Sequence, residues 1–134
     1  VLNPDDIIET HGADSLRIYE MFMGPFDQAI NWNTNGLIGC RRFLDRAWGI
    51  FNRPEKFGST DESAEIKVHQ LIKRISEDLE AMKFNTAISA FMEFINFWSE
   101  KNRTISKKDA ENIFKIIGSF RSAHLRGTLE RAGK

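Results

Sequence analysis

The chain has 134 residues, 41% hydrophobic and 28% charged, with Lys+Arg and Asp+Glu both at 19 and a formal net charge of +0. That is enough length and apolar content for one domain with its own core, and it excludes a disordered chain. Neutrality excludes a protein coated in positive charge, although a basic face remains open because phosphate affinity follows local potential.

Asn3-Pro4-Asp5-Asp6 reads as a helix start. Asn3 can cap, Pro4 suits the first helical position, and the two aspartates favour the positive end of the dipole. Ile7 and Ile8 are expected to point into a core, and Gly12 to close the helix in a left-handed cap. A second helix is expected from about Ala13 to Met23, with Leu16, Ile18, Tyr19, Phe22 and Met23 apolar, until Gly24-Pro25 ends it. Arg17 reads as a helix-end charge and Asp14 as its buried or interface partner.

Phe26 to Asn33 is irregular. Thr34 or Asn35 can then cap a long helix to about Asn52. Cys40, Phe43, Leu44, Ala47, Trp48 and Phe51 recur at three- and four-residue steps and form one apolar stripe. Cys40 is expected to be a small buried thiol, consistent with a reducing compartment. Trp48 is expected to anchor the core, as is Trp32 in the preceding loop. Arg42, Arg46 and Arg53 fall on another face at steps of four and seven, and Gly49 leaves that face open. Arg41 is turned toward Asp45, its i,i+4 partner. Arg53 to Thr60, broken by Pro54 and Gly58, is the expected mobile surface loop.

A helix from about Asp61 to Lys83 carries Val68, Ile72, Ile75, Leu79 and Met82 on a heptad-like seam. Lys73 and Arg74 are cations off that seam, with Glu77 as an i,i+4 partner for Lys73. The next helix has Phe84, Ala87, Ile88, Phe91, Phe94, Ile95 and Trp98 on one side until Lys101 to Thr104 breaks it. Ser106 caps a last helix, with Asp109 in the capping-box position and Ala110, Ile113, Phe114, Ile117 and Phe120 on its core face. No alternating strand pattern appears. The reading is an all-α fold of five or six helices, three long ones bundled and two short N-terminal ones docked beside them.

Chemistry is conspicuous by its absence. His11, His69 and His124 share no metal-site spacing, and a single cysteine excludes a thiolate zinc site. No phosphate-binding glycine loop or nucleophile elbow is present. No run approaches the roughly 20 apolar residues a membrane span needs, so no membrane partner is expected. The chain starts at Val1 without a methionine, and the expectation is a piece of a longer protein.

Pro4, Ile7-Ile8 and Gly12-Ala13-Asp14-Ser15-Leu16-Arg17 resemble the stretch that follows the KMSKS signature in class Ia aminoacyl-tRNA synthetases. Three later stretches resemble the bacterial-type leucyl-tRNA synthetase family: Tyr19 to Gln28; Trp32-Asn33-Thr34-Asn35-Gly36 with Arg42-Phe43-Leu44-Asp45-Arg46-Ala47-Trp48; and Phe84 to Phe94. The resemblance covers about Val1 to Phe120. It implies that residues 1–33 are the end of a stem-contact region and 34–134 the helical anticodon-binding bundle. It also implies an enzyme of the cytoplasm that joins leucine to its tRNA with ATP and Mg²⁺. The catalytic, editing and zinc modules would lie upstream, so this piece is expected to be non-catalytic and to hold no cofactor. Its implied partners are leucine tRNA and the catalytic domain of the same polypeptide.

The family's tRNA-contacting arginines lie in its Arg-Phe-Leu-x-Arg-x-Trp motif, which here gives Arg42 and Arg46. Charge alone adds Arg41, Arg53, Lys73 and Arg74 as weaker candidates. An arginine row is otherwise a solvated face whose ion pairs contribute little. Two alternatives stand beside this: a free-standing helical protein-interaction module, and the same domain of a methionine or isoleucine synthetase. The Pro4 to Arg17 linker speaks against the first, the Trp32 and Phe84 to Phe94 motifs against the second. An upstream domain would cover Ile7, Ile8, Phe22 and Met23; without it, self-association through that face is expected. After Phe120 the chain departs from the family. Two family prolines are missing and His124 is displaced by one, so the helix is expected to continue to about Arg131.

Overall fold

In the computed structural model every long element is helical, and the structure describes residues 3–24, 29, 31–101, 103–113 and 115–116. The helices are α1 (Pro4–His11), α2 (Ala13–Phe22), α3 (Thr34–Phe51), α4 (Glu62–Glu80) and α5 (Phe84–Trp98), with a 3₁₀ turn at Pro54–Lys56 between α3 and α4. Residues 107–113 are helical as well. Among the described residues the sole β feature is one isolated parallel bridge, Phe57 to Ile105. The all-α reading holds. The expected core positions Phe114, Ile117 and Phe120, and the expected continuation to Arg131, lie outside the described residues.

The helix starts follow from local chemistry. Asn3 Oδ1 accepts from Asp5 N at 3.0 Å. Asp61 Oδ1 accepts from Ala64 N at 2.7 Å, which, more than any other contact, holds its carboxyl below the usual range. For α3 the cap is Asn33, one residue before the expected Thr34: its Oδ1 accepts from Asn35 N at 2.9 Å and Gly36 N at 3.3 Å. Gly12 has φ 89° but ψ 150°, so the α1–α2 junction is extended with positive φ and not a left-handed helical cap.

The main core joins α3, α4, α5 and the last helical stretch. Ile50, Val68, Leu71, Ile75, Ile95, Trp98, Ile105 and Ile113 are all buried in it. On α4 the seam includes Ala64 and Leu71, while Met82 lies past the helix end at φ 56° and is exposed. The α5 stripe is as expected, with Phe91 only half-buried. A second cluster joins Ile7 and Tyr19 to Leu37 and Cys40, and a third joins Met21 to Phe84 and Ile88. The two short helices thus pack on the bundle itself. Gly36 is what lets α2 come so close: a Cβ there would stand 2.9 Å from Met23 Sδ and 3.1 Å from Tyr19 Cε2.

That packing corrects the expected exposed N-terminal face. Ile7 is buried and Phe22 and Met23 half-buried, so Ile8 alone of the four is exposed. The face imagined for an upstream domain is largely taken up by α3 and α5. Asp14 is likewise no buried partner: it pairs with Arg17 at 3.2 Å in the open.

The largest correction concerns Arg53 to Thr60, which is a clasp and not a mobile loop. Lys56 is buried, and its Nζ donates to the Trp98 carbonyl at 3.0 Å and the Glu100 carbonyl at 2.9 Å. These lie at the end of α5, where carbonyls lack helical partners and the dipole favours a cation. In return Trp98 Nε1 donates to the Lys56 carbonyl at 3.1 Å. The rings of Phe51 and Phe57 meet the Trp98 ring edge-on at 5.2 and 5.6 Å. Further along, Thr60 Oγ1 donates to Asp109 Oδ2 at 2.7 Å and accepts from Ser106 N at 2.8 Å. Ser106 caps its helix as expected, accepting from Asp109 N at 3.1 Å. Thr60 occupies the place that Asp109 would take in a closed capping box.

Candidate nucleic-acid interface

Helical geometry places the cations of α3 on two separate faces. Arg42 and Arg46 share one side, and Arg41 lies about 100° away beside Asp45; Arg53, expected on the same helical face, instead lies past the end of α3 in extended backbone at φ −103° and ψ 108°. All four are exposed. Arg41 Nη2 pairs with Asp45 Oδ1 at 3.2 Å, and its Nη1 donates to the His11 carbonyl at 3.4 Å. It therefore bridges α3 to the end of α1, a structural use that leaves less of its charge free.

On the other face, Arg46 Nη1 donates to Asn96 Oδ1 of α5. Asn96 is neutral, so the contact fixes the guanidinium without cancelling its charge. Sequence reasoning missed Asn96, because only the fold brings a residue 50 positions away to this row. The side chains of Arg42 and Arg53 have no ion pair or hydrogen bond among the described residues. Arg42 and Arg46 thus form a cationic face on a long helix with no acidic partner among those residues, and Arg53 adds a third such cation just past the helix end.

The weaker candidates on α4 are placed differently. Lys73 pairs with Glu77 at 4.0 Å, as its spacing implies. Arg74 lies between Asp78 at 4.0 Å and Glu93 of α5 at 3.9 Å. Both belong to exposed ion-pair networks along α4 and α5 and are not joined to the α3 row. A small cavity of about 120 Å³ lies between these helices, lined by Lys67, Arg74, Glu93 and Phe97 among others. Lys67 and Arg103 approach the Phe97 ring at 5.9 and 4.5 Å.

The tryptophans correct two expectations. Trp48 is 73% exposed and no core anchor. Ile50, two residues on and about 160° round the helix, takes the core position instead. Trp32 is half out of the fold, with its ring 4.7 Å from that of Tyr19 and its Nε1 donating to Thr34 Oγ1 at 3.1 Å. Cys40 is buried as expected, and burial pushes its thiol up to about 11. His69 is exposed, 3.8 Å from Glu65. Among the described residues no group of His, Cys, Asp and Glu is placed to hold a metal, and no helix is long and apolar enough to cross a membrane.

What this arrangement offers is a set of cations without acidic partners among the described residues, suited to successive anionic groups on one ligand. Residues 61–125, just under half of the chain, match the family described as the anticodon-binding domain of tRNA ligase. The match takes in α4 and α5, and α3 with its arginine row lies ahead of it. It supports an anticodon-binding domain of a tRNA ligase, and tRNA as the ligand that goes with it.

Proposed function

We propose that this chain is the tRNA-binding helical domain of a leucine–tRNA ligase, and that the face of Arg42 and Arg46 on α3, with Arg53 just past its end, holds the phosphates of leucine tRNA. The observation that carries the proposal is the contrast among the cations. Arg41, Lys73 and Arg74 face carboxylates at 3.2 to 4.0 Å. Arg42 and Arg53 face none among the described residues, and Arg46 is steadied by a neutral amide. The family match behind α3 supplies the nature of the anion, and the motifs in residues 19–48 and 84–94 supply the amino acid. On this reading residues 1–33 end the stem-contact region and 34–134 form the bundle. ATP, Mg²⁺ and the ligase reaction belong to the catalytic domain of the parent enzyme, in the cytoplasm.

Contacts to phosphate give affinity and register and release counterions, so binding must weaken with salt. The test is a salt-dependent titration of leucine tRNA against the 134-residue chain and an Arg42→Ala/Arg46→Ala variant. Loss of two phosphate contacts is expected to weaken binding and flatten the log–log salt slope by roughly 1.4 to 1.8. Equal binding by both proteins refutes the choice of face. A methionine tRNA bound as tightly as leucine tRNA refutes leucine specificity in this domain.

A further inference from the structure

The α4–α5 contact does not close completely. The small cavity of about 120 Å³ between the two helices has an apolar floor of Leu71, Phe94 and Phe97. Its rim is polar, with Gln70 and Arg74 from α4 and Glu93 from α5. None of these three rim side chains makes a hydrogen bond among the described residues, and Arg74 Nη1 stops 3.9 Å from Glu93 Oε2. Their donors and acceptors are open to a ligand.

Volume and charge limit what fits. About 120 Å³ approaches the ~150 Å³ of an apolar cavity that takes up benzene, so the space suits one six-membered ring. Arg74 is already faced by Asp78 and Glu93 at 4.0 and 3.9 Å, so the rim does not call for a phosphate as the α3 face does. A neutral ring with a donor and acceptors side by side along one edge matches the Arg74–Glu93 pair. Cytosine has that form: its N4 amino group, for which carboxylates are suited acceptors, stands beside the N3 and O2 acceptors. A purine with a similar edge needs room for two rings.

The fold sets this cavity beside the face proposed above. Arg46 of α3 reaches Asn96 on α5, and Arg74 of α4 reaches Glu93 on α5. Asn96 and Glu93 are three residues apart and both exposed, so they are neighbours on one side of the helix. No contact joins the two arginines, yet only the exposed side of α5 lies between them. A strand held by its phosphate on Arg46 has its neighbouring bases within reach of the cavity mouth.

We propose that this cavity is a base pocket. An unpaired cytosine of the bound RNA lays its ring against Leu71, Phe94 and Phe97, donates from N4 to the Glu93 carboxylate, and accepts at N3 and O2 from Arg74 and Gln70. RNA as the source of the base rests on the tRNA-binding reading above; the pocket's chemistry rests on its own residues.

The test has two arms, both on the 134-residue chain. In the first, cytidine and N4,N4-dimethylcytidine are titrated and followed by NMR at the Arg74 side chain and the Leu71 methyl groups. Cytidine is expected to shift both, with a dissociation constant on the order of millimolar for a ligand of this size. The dimethyl form has no amino hydrogen to donate and is expected to bind about tenfold more weakly. In the second arm, leucine tRNA is titrated against the wild type, Glu93→Ala, Glu93→Gln and Arg42→Ala/Arg46→Ala. Glu93 is exposed, so its substitution is expected to leave the fold intact. By charge alone, removing a carboxylate beside bound RNA strengthens binding. Glu93→Ala is instead expected to weaken it about tenfold, with Glu93→Gln, which keeps an acceptor oxygen, between it and the wild type. Unchanged or tightened binding by Glu93→Ala, with binding lost in the arginine variant, overturns the base pocket and leaves the tRNA reading standing. The pocket is also overturned if cytidine shifts neither residue or if the two nucleosides bind equally. No tRNA binding by the wild type overturns the tRNA reading and the RNA source of the base, while the cytidine arm still decides the cavity.

Discussion

Replacing Lys56 by methionine keeps the length of the side chain and removes the ammonium from the end of α5. The Trp98 carbonyl, which Lys56 reaches at 3.0 Å in a buried setting, loses its partner, at a cost of roughly 1–3 kcal/mol. The Glu100 carbonyl is only part-buried and can turn to water, so its loss is smaller. The cation beside the helix C-terminus contributes roughly 0.3–1 kcal/mol more. Against these stands the relief of no longer burying an ammonium group. The net expectation is a destabilisation of about 2 kcal/mol, or a fall in Tm of about 8 °C for a chain of this size. Urea unfolding followed by circular dichroism measures it, with an unchanged m-value showing that the denatured state is the same. If Lys56→Met were as stable as the wild type, water would be satisfying both carbonyls, and the clasp would owe its order to the Trp98 ring contacts and to the hydrogen bonds of Trp98 Nε1 and Thr60.

Gly36→Ala is expected to lower stability by about 1 kcal/mol, because Met23 must move to clear a contact of 2.9 Å; a melting curve decides it. The Cys40 thiol is raised from 9.0 to about 11 by burial, so its contribution is complete below pH 9 and is lost as pH rises toward 11. Unfolding at pH 8 and pH 10.5 should show that loss, and Cys40→Ser should change it. The Asp61 carboxyl is held low by the Ala64 amide, so the α4 cap it forms is intact above the ordinary carboxylate range and weakens as pH falls below it. Asp61→Ala should remove that part of the acid dependence of Tm. Trp48 is the most exposed of the three tryptophans, with Trp32 at 38% and Trp98 at 0%. Trp48→Phe should therefore abolish most of the iodide-quenchable fluorescence and shift stability by no more than about 0.5 kcal/mol.

Residues governed by their nearest neighbours were legible in the sequence. The Asn3 and Ser106 caps, the α5 stripe and the Arg41–Asp45 pair each depend on partners within five residues. The shared face of Arg42 and Arg46 was legible for the same reason, since a helix repeats on itself every few residues, whereas Arg53 falls past the end of α3. The features that escaped depend on contacts between distant segments. A proline, a glycine and several polar residues gave Arg53 to Thr60 the composition of a free loop. It is ordered by acceptors 42 and 44 positions away that no local pattern announces. Trp48 was misplaced because a three-four stripe fixes the period of a helix and not which edge of the stripe meets the core; Ile50 showed where that edge falls. Asn96 reached Arg46 only through the crossing of α3 and α5.

The clasp also bears on how the chain finds its fold. It joins segments on either side of the α4–α5 hairpin, with Lys56 meeting Trp98 and Thr60 meeting Asp109 across 42 and 49 positions. Closing so long a loop from an open chain is entropically unfavourable, but a hairpin already formed at the Met82 turn brings the two flanks together in advance. The hairpin needs only near-neighbour contacts to form, so it belongs early in the sequence of events. Ordering of Lys56 and Trp98 then follows, and with it the end of α3 is drawn onto the bundle through Phe51. The cationic row would thus acquire its final orientation among the last events of folding, after the helices that support it are already in place.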